Sequence, residues 1–174
     1  MTNRINMSKI KKVVTAMLLA SSVSFVTLLS ADSNSYKMDF NKETTCLVRH
    51  FKVYKHPMWV AKIELANSKK LYFSSPKSML EFYLHPGKWY NLNVRSEDDF
   101  KDIIVTDFST GKPIDARGAF YVFGSSKTSP AGDDLIPFSS YEKAKKFSKE
   151  NNGKRILNFK EIPLNLINLL NGIV

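Results

Sequence analysis

Thirteen consecutive positions hold one thiol, two imidazoles and one thioether: Cys46-Leu-Val-Arg-His50-Phe-Lys-Val-Tyr-Lys-His56-Pro-Met58. Soft sulfur donors suit Cu(I), and a linear or trigonal site needs only two or three ligands. A site that must also release its metal has reason to stay sparse. Cys46, Met58, His56 and His50 are therefore the candidate metal ligands. The same letters also fit a plainer reading, with both histidines on a strand edge, Met58 in the core and Cys46 a free thiol. Other chemistry finds little support. No serine sits in a glycine-flanked elbow, and no histidine has an evident acidic orienter. Neither Gly124-Ser-Ser nor Ala131-Gly132 forms a phosphate-binding loop. The expectation is that the chain is not an enzyme. A single cysteine among 174 residues excludes an intrachain disulfide framework and any multi-cysteine zinc or iron–sulfur site.

The elements that must carry these side chains follow from pattern. Charged residues at 24%, hydrophobic residues at 43% and seven glycines describe one globular domain, or two very small ones, and exclude a collagenous or low-complexity chain. Trp59–Leu65 alternates like a half-buried strand, and Lys70–Ser74 follows after an Asn67-Ser68 pause. Ser75-Pro76 is a helix start, with serine as N-cap and proline in the first turn. Met79, Leu80, Tyr83 and Leu84 supply the apolar stripe, and His85-Pro86-Gly87 ends it. Asp102–Phe108 is the next strand. The order then recurs: strands at Ala119–Phe123 and Asp134–Phe138, a helix capped by Ser140 and stopped at Asn152-Gly153, and a closing strand at Arg155–Phe159. Phe73-Ser-Ser with Phe82 is matched by Phe138-Ser-Ser with Phe147 at a constant offset of 65 residues. The fold class expected is α+β: two tandem duplicated ββαβ units, 46–112 and 113–162, packed together. A short amphipathic helix over 163–174, rich in leucine and isoleucine, either docks on this core or meets a partner.

Ahead of the units, Arg4, Lys9, Lys11 and Lys12 precede an apolar run from Val13 to Leu29 that ends at Leu29-Ser30-Ala31. Residues 1–31 read as a secretory signal peptide, with an uncleaved anchor as the alternative, and 32–45 as a flexible leader. No cysteine stands at the exit of the apolar run, so a lipoprotein anchor is not expected. The expected location is the periplasm. Removing the signal takes the formal charge from +10 to +6. An exported basic protein does not meet chromosomal nucleic acid, which leaves an anionic membrane surface or an acidic partner. In an oxidising compartment an exposed Cys46 also permits a disulfide-linked dimer.

The block Cys46-Leu-Val…Val53-Tyr54-Lys55…Pro57…Trp59-Val-Ala-Lys-Ile63 resembles the opening of NosL, an accessory protein of nitrous oxide reductase. The resemblance continues through Tyr72-Phe73, Met79 and Phe82. It resumes at Thr106-Asp-Phe108, Ile114-Asp-Ala116, Ala119–Val122 and Gly124-Ser125, and closes with Pro130-Ala-Gly132, Leu135–Phe138, Ala144–Phe147 and Gly153-Lys154. It implies the duplicated fold reached above, and a periplasmic Cu(I) chaperone that feeds a copper-receiving enzyme or its assembly complex. The chain departs from the family where the metal should bind. The family frame Cys-x-x-Cys-Gly-Met reads here Cys46-Leu-Val-Arg49-His50-Phe51, and Pro-Met-Gly reads Pro130-Ala131-Gly132. A cation at position 49 repels a metal cation, and the resemblance leaves Met58 and His56 as replacement donors. Two functions stay open: a copper-binding accessory protein, and a divergent paralogue that has lost the metal and works as a protein-interaction module.

Overall fold

The computed structural model describes residues 36–173, so the signal peptide expected over 1–31 lies outside the described residues. The first unit is built from β1 (Ala61–Leu65), β2 (Lys70–Phe73), α1 (Pro76–Leu84) and β3 (Phe100–Thr106). Ser75 caps α1, its hydroxyl accepting the Ser78 N–H, with Pro76 in the first turn as read from the sequence. The second unit is β5 (Phe120–Phe123), β6 (Leu135–Phe138), α2 (Tyr141–Glu150) and β7 (Arg155–Asn158). Ser140 caps α2 in the same way, accepting from Lys143 N–H. All strand pairings are antiparallel. The sheets run β2-β1-β3-β4, where β4 (Pro113–Asp115) is a short edge strand, and β6-β5-β7, so β1 and β5 each lie between the two other strands of their unit, and the duplication seen in the letters is a duplication of topology.

The fold is α+β, and the units share one core. A single apolar cluster joins Ile63, Phe73, Phe82 and Ile103 of the first unit to Tyr121, Leu135 and Leu157 of the second. A smaller one gathers Val122, Ile136, Phe138 and Ala144 under α2, lined by Phe108 and Phe147. Asp107 locks the seam. Its 1% exposed carboxylate accepts from Ser109 N–H (2.8 Å) and Oγ–H (2.6 Å), from Ser139 N–H (3.2 Å) and from Lys143 Nζ (3.2 Å). Phe108 N–H adds a bond to the Pro137 carbonyl.

Three departures from the sequence reading have local causes. β3 ends at Thr106, two residues before the expected Phe108, because Asp107 turns the chain: Gly111 N–H returns to its carbonyl, and Gly111 has φ of 69°. That turn brings back β4 (Pro113–Asp115), which pairs with β3 and so joins the first sheet, although 113 was read as the start of the second unit. Proline suits this edge position because no ladder bond is asked of its missing N–H. Residues 36–45, expected as a loose leader, are strapped down. The Asp39 carboxylate pairs with Lys62 (2.8 Å) and Lys70 (2.5 Å), and Tyr72 O–H donates to the Asp39 carbonyl. Lys62 is almost wholly buried, and an unpaired ammonium there is costly, so the strap is its counter-charge.

The C-terminal helix α3 (Leu164–Leu170) docks on the chain's own core through Ile167, which has no exposure. It ends in a Schellman motif: Gly172, at φ of 70°, donates to the Leu169 carbonyl, and Ile173 N–H to that of Asn168. Among the described residues no helix is long and apolar enough to cross a membrane.

Candidate metal-handling site

Cys46 opens a tight turn. Its N–H donates to the Phe51 carbonyl (2.8 Å), its carbonyl accepts the His50 N–H (2.9 Å), and Thr45 bridges to Lys52 behind it. Leu47 N–H donates to the Tyr72 carbonyl and docks the turn on the edge of β2. The turn demands a left-handed residue at position 50, where His50 has φ of 58°. A glycine adopts that conformation without penalty, whereas a histidine does so under strain. The imidazole of His50 is thrown outward and exposed. The thiol goes the other way: Cys46 has 0% exposure, and its Sγ accepts the Arg49 N–H at 3.3 Å.

The expectation of a Cys46-linked dimer rests on an exposed thiol, whereas Cys46 is buried in this arrangement.

Arg49 occupies the second cysteine of the Cys-x-x-Cys frame, and its side chain leaves the turn for distant partners. Nη2–H bonds reach Glu81 Oε2 on α1 (2.8 Å) and Asn171 Oδ1 just past α3 (2.7 Å), while Asn171 Nδ2–H returns to Glu81 (2.9 Å). Lys88 stands 3.6 Å from the same carboxylate. A further altered position, Ala131, lies in a tight turn closed by reciprocal bonds between Ser129 and Gly132, with Gly132 at φ of 87°. Its carbonyl accepts the buried Lys77 ammonium (2.7 Å), which also donates to the Leu170 carbonyl at the end of α3 (2.9 Å). Lys77 is held by its backbone as well, its N–H donating to Asp134 Oδ1 (2.7 Å). Burial pushes the Lys77 ammonium below its ordinary value, with Arg49 adding to the effect. Burial likewise pushes the Asp134 carboxyl up.

The structure thus ties two of the altered motif positions, Arg49 and Ala131, to the C-terminal end of α3 through a guanidinium and an ammonium, while a third, Phe51, lines a surface hollow. The four sequence-nominated ligands are not gathered there. Cys46 is in the core. His50 faces solvent. His56, between two short 3-10 turns (Val53–Lys55 and Pro57–Trp59), lines a surface hollow of ≈ 310 Å³ with Phe51, Lys52, Lys55 and Pro130. Met58 is half-buried on the second of those turns, its sulfur 3.4 Å from where a Cβ on Gly111 would stand. Among the described residues no three His, Cys, Asp or Glu side chains form a metal-ligating group.

The sequence reading overlooked Lys77, Glu81 and Asn171. Lys77 left a signal: it stands in the first turn of α1, where a cation opposes the helix dipole. Such a lysine has its charge satisfied elsewhere. Asn171 left none, because it lies 122 residues from Arg49.

Comparison with known proteins meets this geometry. No curated protein matches the chain. Among solved structures, the copper chaperone NosL from Shewanella denitrificans is similar in fold, with a TM-score of 0.64 at 22% identity, covering 75% of this chain and 98% of that one. The NosL family pattern matches residues 37–167, both ββαβ units together with the strapped leader and the start of α3. The chain belongs to the NosL family.

Proposed function

We propose that this protein is an exported accessory factor of copper-enzyme assembly, with Cu(I) as its cargo and nitrous oxide reductase or a related copper enzyme as the recipient. It is not an enzyme. What supports the reading is the family match together with the retained Cys46, the first residue of the family's cysteine frame, still held in an intact turn. Cys46 is the soft donor, and His56, Met58 and His50 are the residues available to complete its coordination. The site of action is the periplasm, free or held at the membrane by the N-terminal segment.

A second reading has its own observation. Arg49 and Lys77 bring two positive charges to the altered motif positions, which favours a scaffold that has given up the metal and acts through protein contact.

One titration separates the two. The reduced chain is titrated with Cu(I) against a coloured competing chelator, beside Cys46→Ser. Stoichiometric binding that disappears in the variant carries the copper reading. A wild-type chain that takes no metal from the chelator refutes it and leaves the interaction module.

A further inference from the structure

The thiol is buried, yet the turn that carries it is held shut from outside. Cys46 is fully buried in the core, and the Arg49 amide of its own turn 46–51 donates to the sulfur. The Arg49 side chain is in turn pinned to Glu81 and to Asn171. The end of α3 that provides Asn171 is fixed a second time by Lys77, through the Leu170 carbonyl, and the same ammonium holds the Ala131 turn. The turn 46–51, the turn 129–132 and the end of α3 are therefore tied through two cations and one glutamate.

We infer that this charge cluster is a latch, and that Arg49, Lys77, Glu81 and Asn171 are positioning residues that set access to Cys46. Three observations point to a latch that opens locally. Both bonds from Arg49 leave through one nitrogen, and its Nε is buried without a partner, so closure leaves a donor unsatisfied. The helix it holds is short, with one fully buried side chain, Ile167, while Leu169 and Ile173 are exposed at 59% and 53%. Finally, His50 is strained at its positive φ, and opening the turn relieves it. Segments with few buried contacts open well below the free energy of global unfolding. The inference goes beyond the copper reading, since it governs any soft metal or electrophile that reaches the thiol. It stands or falls separately, because its test contains no metal.

The test is the rate at which Cys46, the sole cysteine, reacts with a chromogenic aryl disulfide in the full-length chain under native conditions. Asn171→Ala is expected to raise that rate about tenfold, in proportion to the open population. Ser140→Ala, which weakens α2 far from the latch, is the control and is expected to leave the rate within about twofold. Equal rates in wild type and Asn171→Ala overturn the latch, and so does a rate that follows global stability equally in both variants. Amide exchange in the wild-type chain provides a readout free of folding defects. The amides of Cys46, Arg49 and His50 are expected to exchange together with those of Asn171 and Ile173, and faster than that of Ile63 in β1. Exchange of the turn as slow as Ile63 overturns the inference.

Discussion

Asp107→Asn is the sharpest test of how the two units are joined. Burial alone raises a carboxyl, but hydrogen bonds from Ser109, Ser139 and Lys143 outweigh it here and bring Asp107 from 3.8 down to about 2. Each tenfold change in proton affinity is worth roughly 1.4 kcal/mol. The depression therefore corresponds to about 2 kcal/mol of stability, in force above the unfolded value near 3.8 and lost as pH falls through the folded value near 2. Asparagine keeps the shape but sets an amide N–H against donors from Ser139 or Lys143, so the expected loss at neutral pH is about 2–3 kcal/mol. Urea unfolding of both chains at neutral pH and again in acid measures it. The gap between them is expected to narrow on acidification, because the wild type then loses what the variant already lacks. A variant within about 0.5 kcal/mol of wild type at neutral pH refutes the reasoning. So does a gap that ignores pH.

Other outcomes follow from particular residues. His50→Gly relieves the left-handed turn and is expected to stabilise the protein by about 1 kcal/mol, read as a raised Tm. Its effect on Cu(I) titration shows separately whether the imidazole serves as a donor. Ser75→Ala and Ser140→Ala each remove an N-cap and are expected to cost about 1 kcal/mol apiece. Their effects should add in the double variant, as equivalent caps in separate units would. Gly153→Ala puts a Cβ 2.5 Å from Ser148 Oγ and 2.6 Å from Val122 Cγ1, and overpacking of this kind costs about 1–3 kcal/mol in thermal or urea unfolding. Asp39→Ala strips the counter-charge from buried Lys62 and is expected to free the leader first, seen as protease cleavage before residue 46 while β1 amides stay protected.

Where the determinants are local, the chain could be read directly. Ser75-Pro76, Ser140 and Asn152-Gly153 mark helix boundaries by their own backbone chemistry, and the 65-residue offset exposed the duplicated topology before any pairing was known. What escaped reading depends on distant partners. β4 exists because the Asp107 turn aims it back at β3, and Pro113-Ile-Asp115 carries no strand signal of its own. The leader looks polar and loose until Lys62, buried in β1, is seen to need Asp39. At the candidate site, residue types nominated Cys46, His50, His56 and Met58 because they lie close together in sequence. The turn sends Cys46 inward and leaves His50 exposed, His56 and Met58 belong to the 3-10 turns that follow, and the cluster that forms around Arg49 draws on Glu81, 32 residues away, and on Asn171, 122 away. Such separations leave no period or motif to detect.

The position of Asn171 also orders events in time. A chain threaded from its N-terminus presents Cys46 more than a hundred residues before the segment that pins Arg49 emerges. The two sheets have all their strands by Asn158, so the body of the protein is able to assemble before Asn171 is present. Biosynthesis therefore includes an interval in which the Arg49 guanidinium has Glu81 within reach but not yet Asn171. Of the bonds that join Arg49 to these partners, the one that spans the longer stretch of sequence is the last to form.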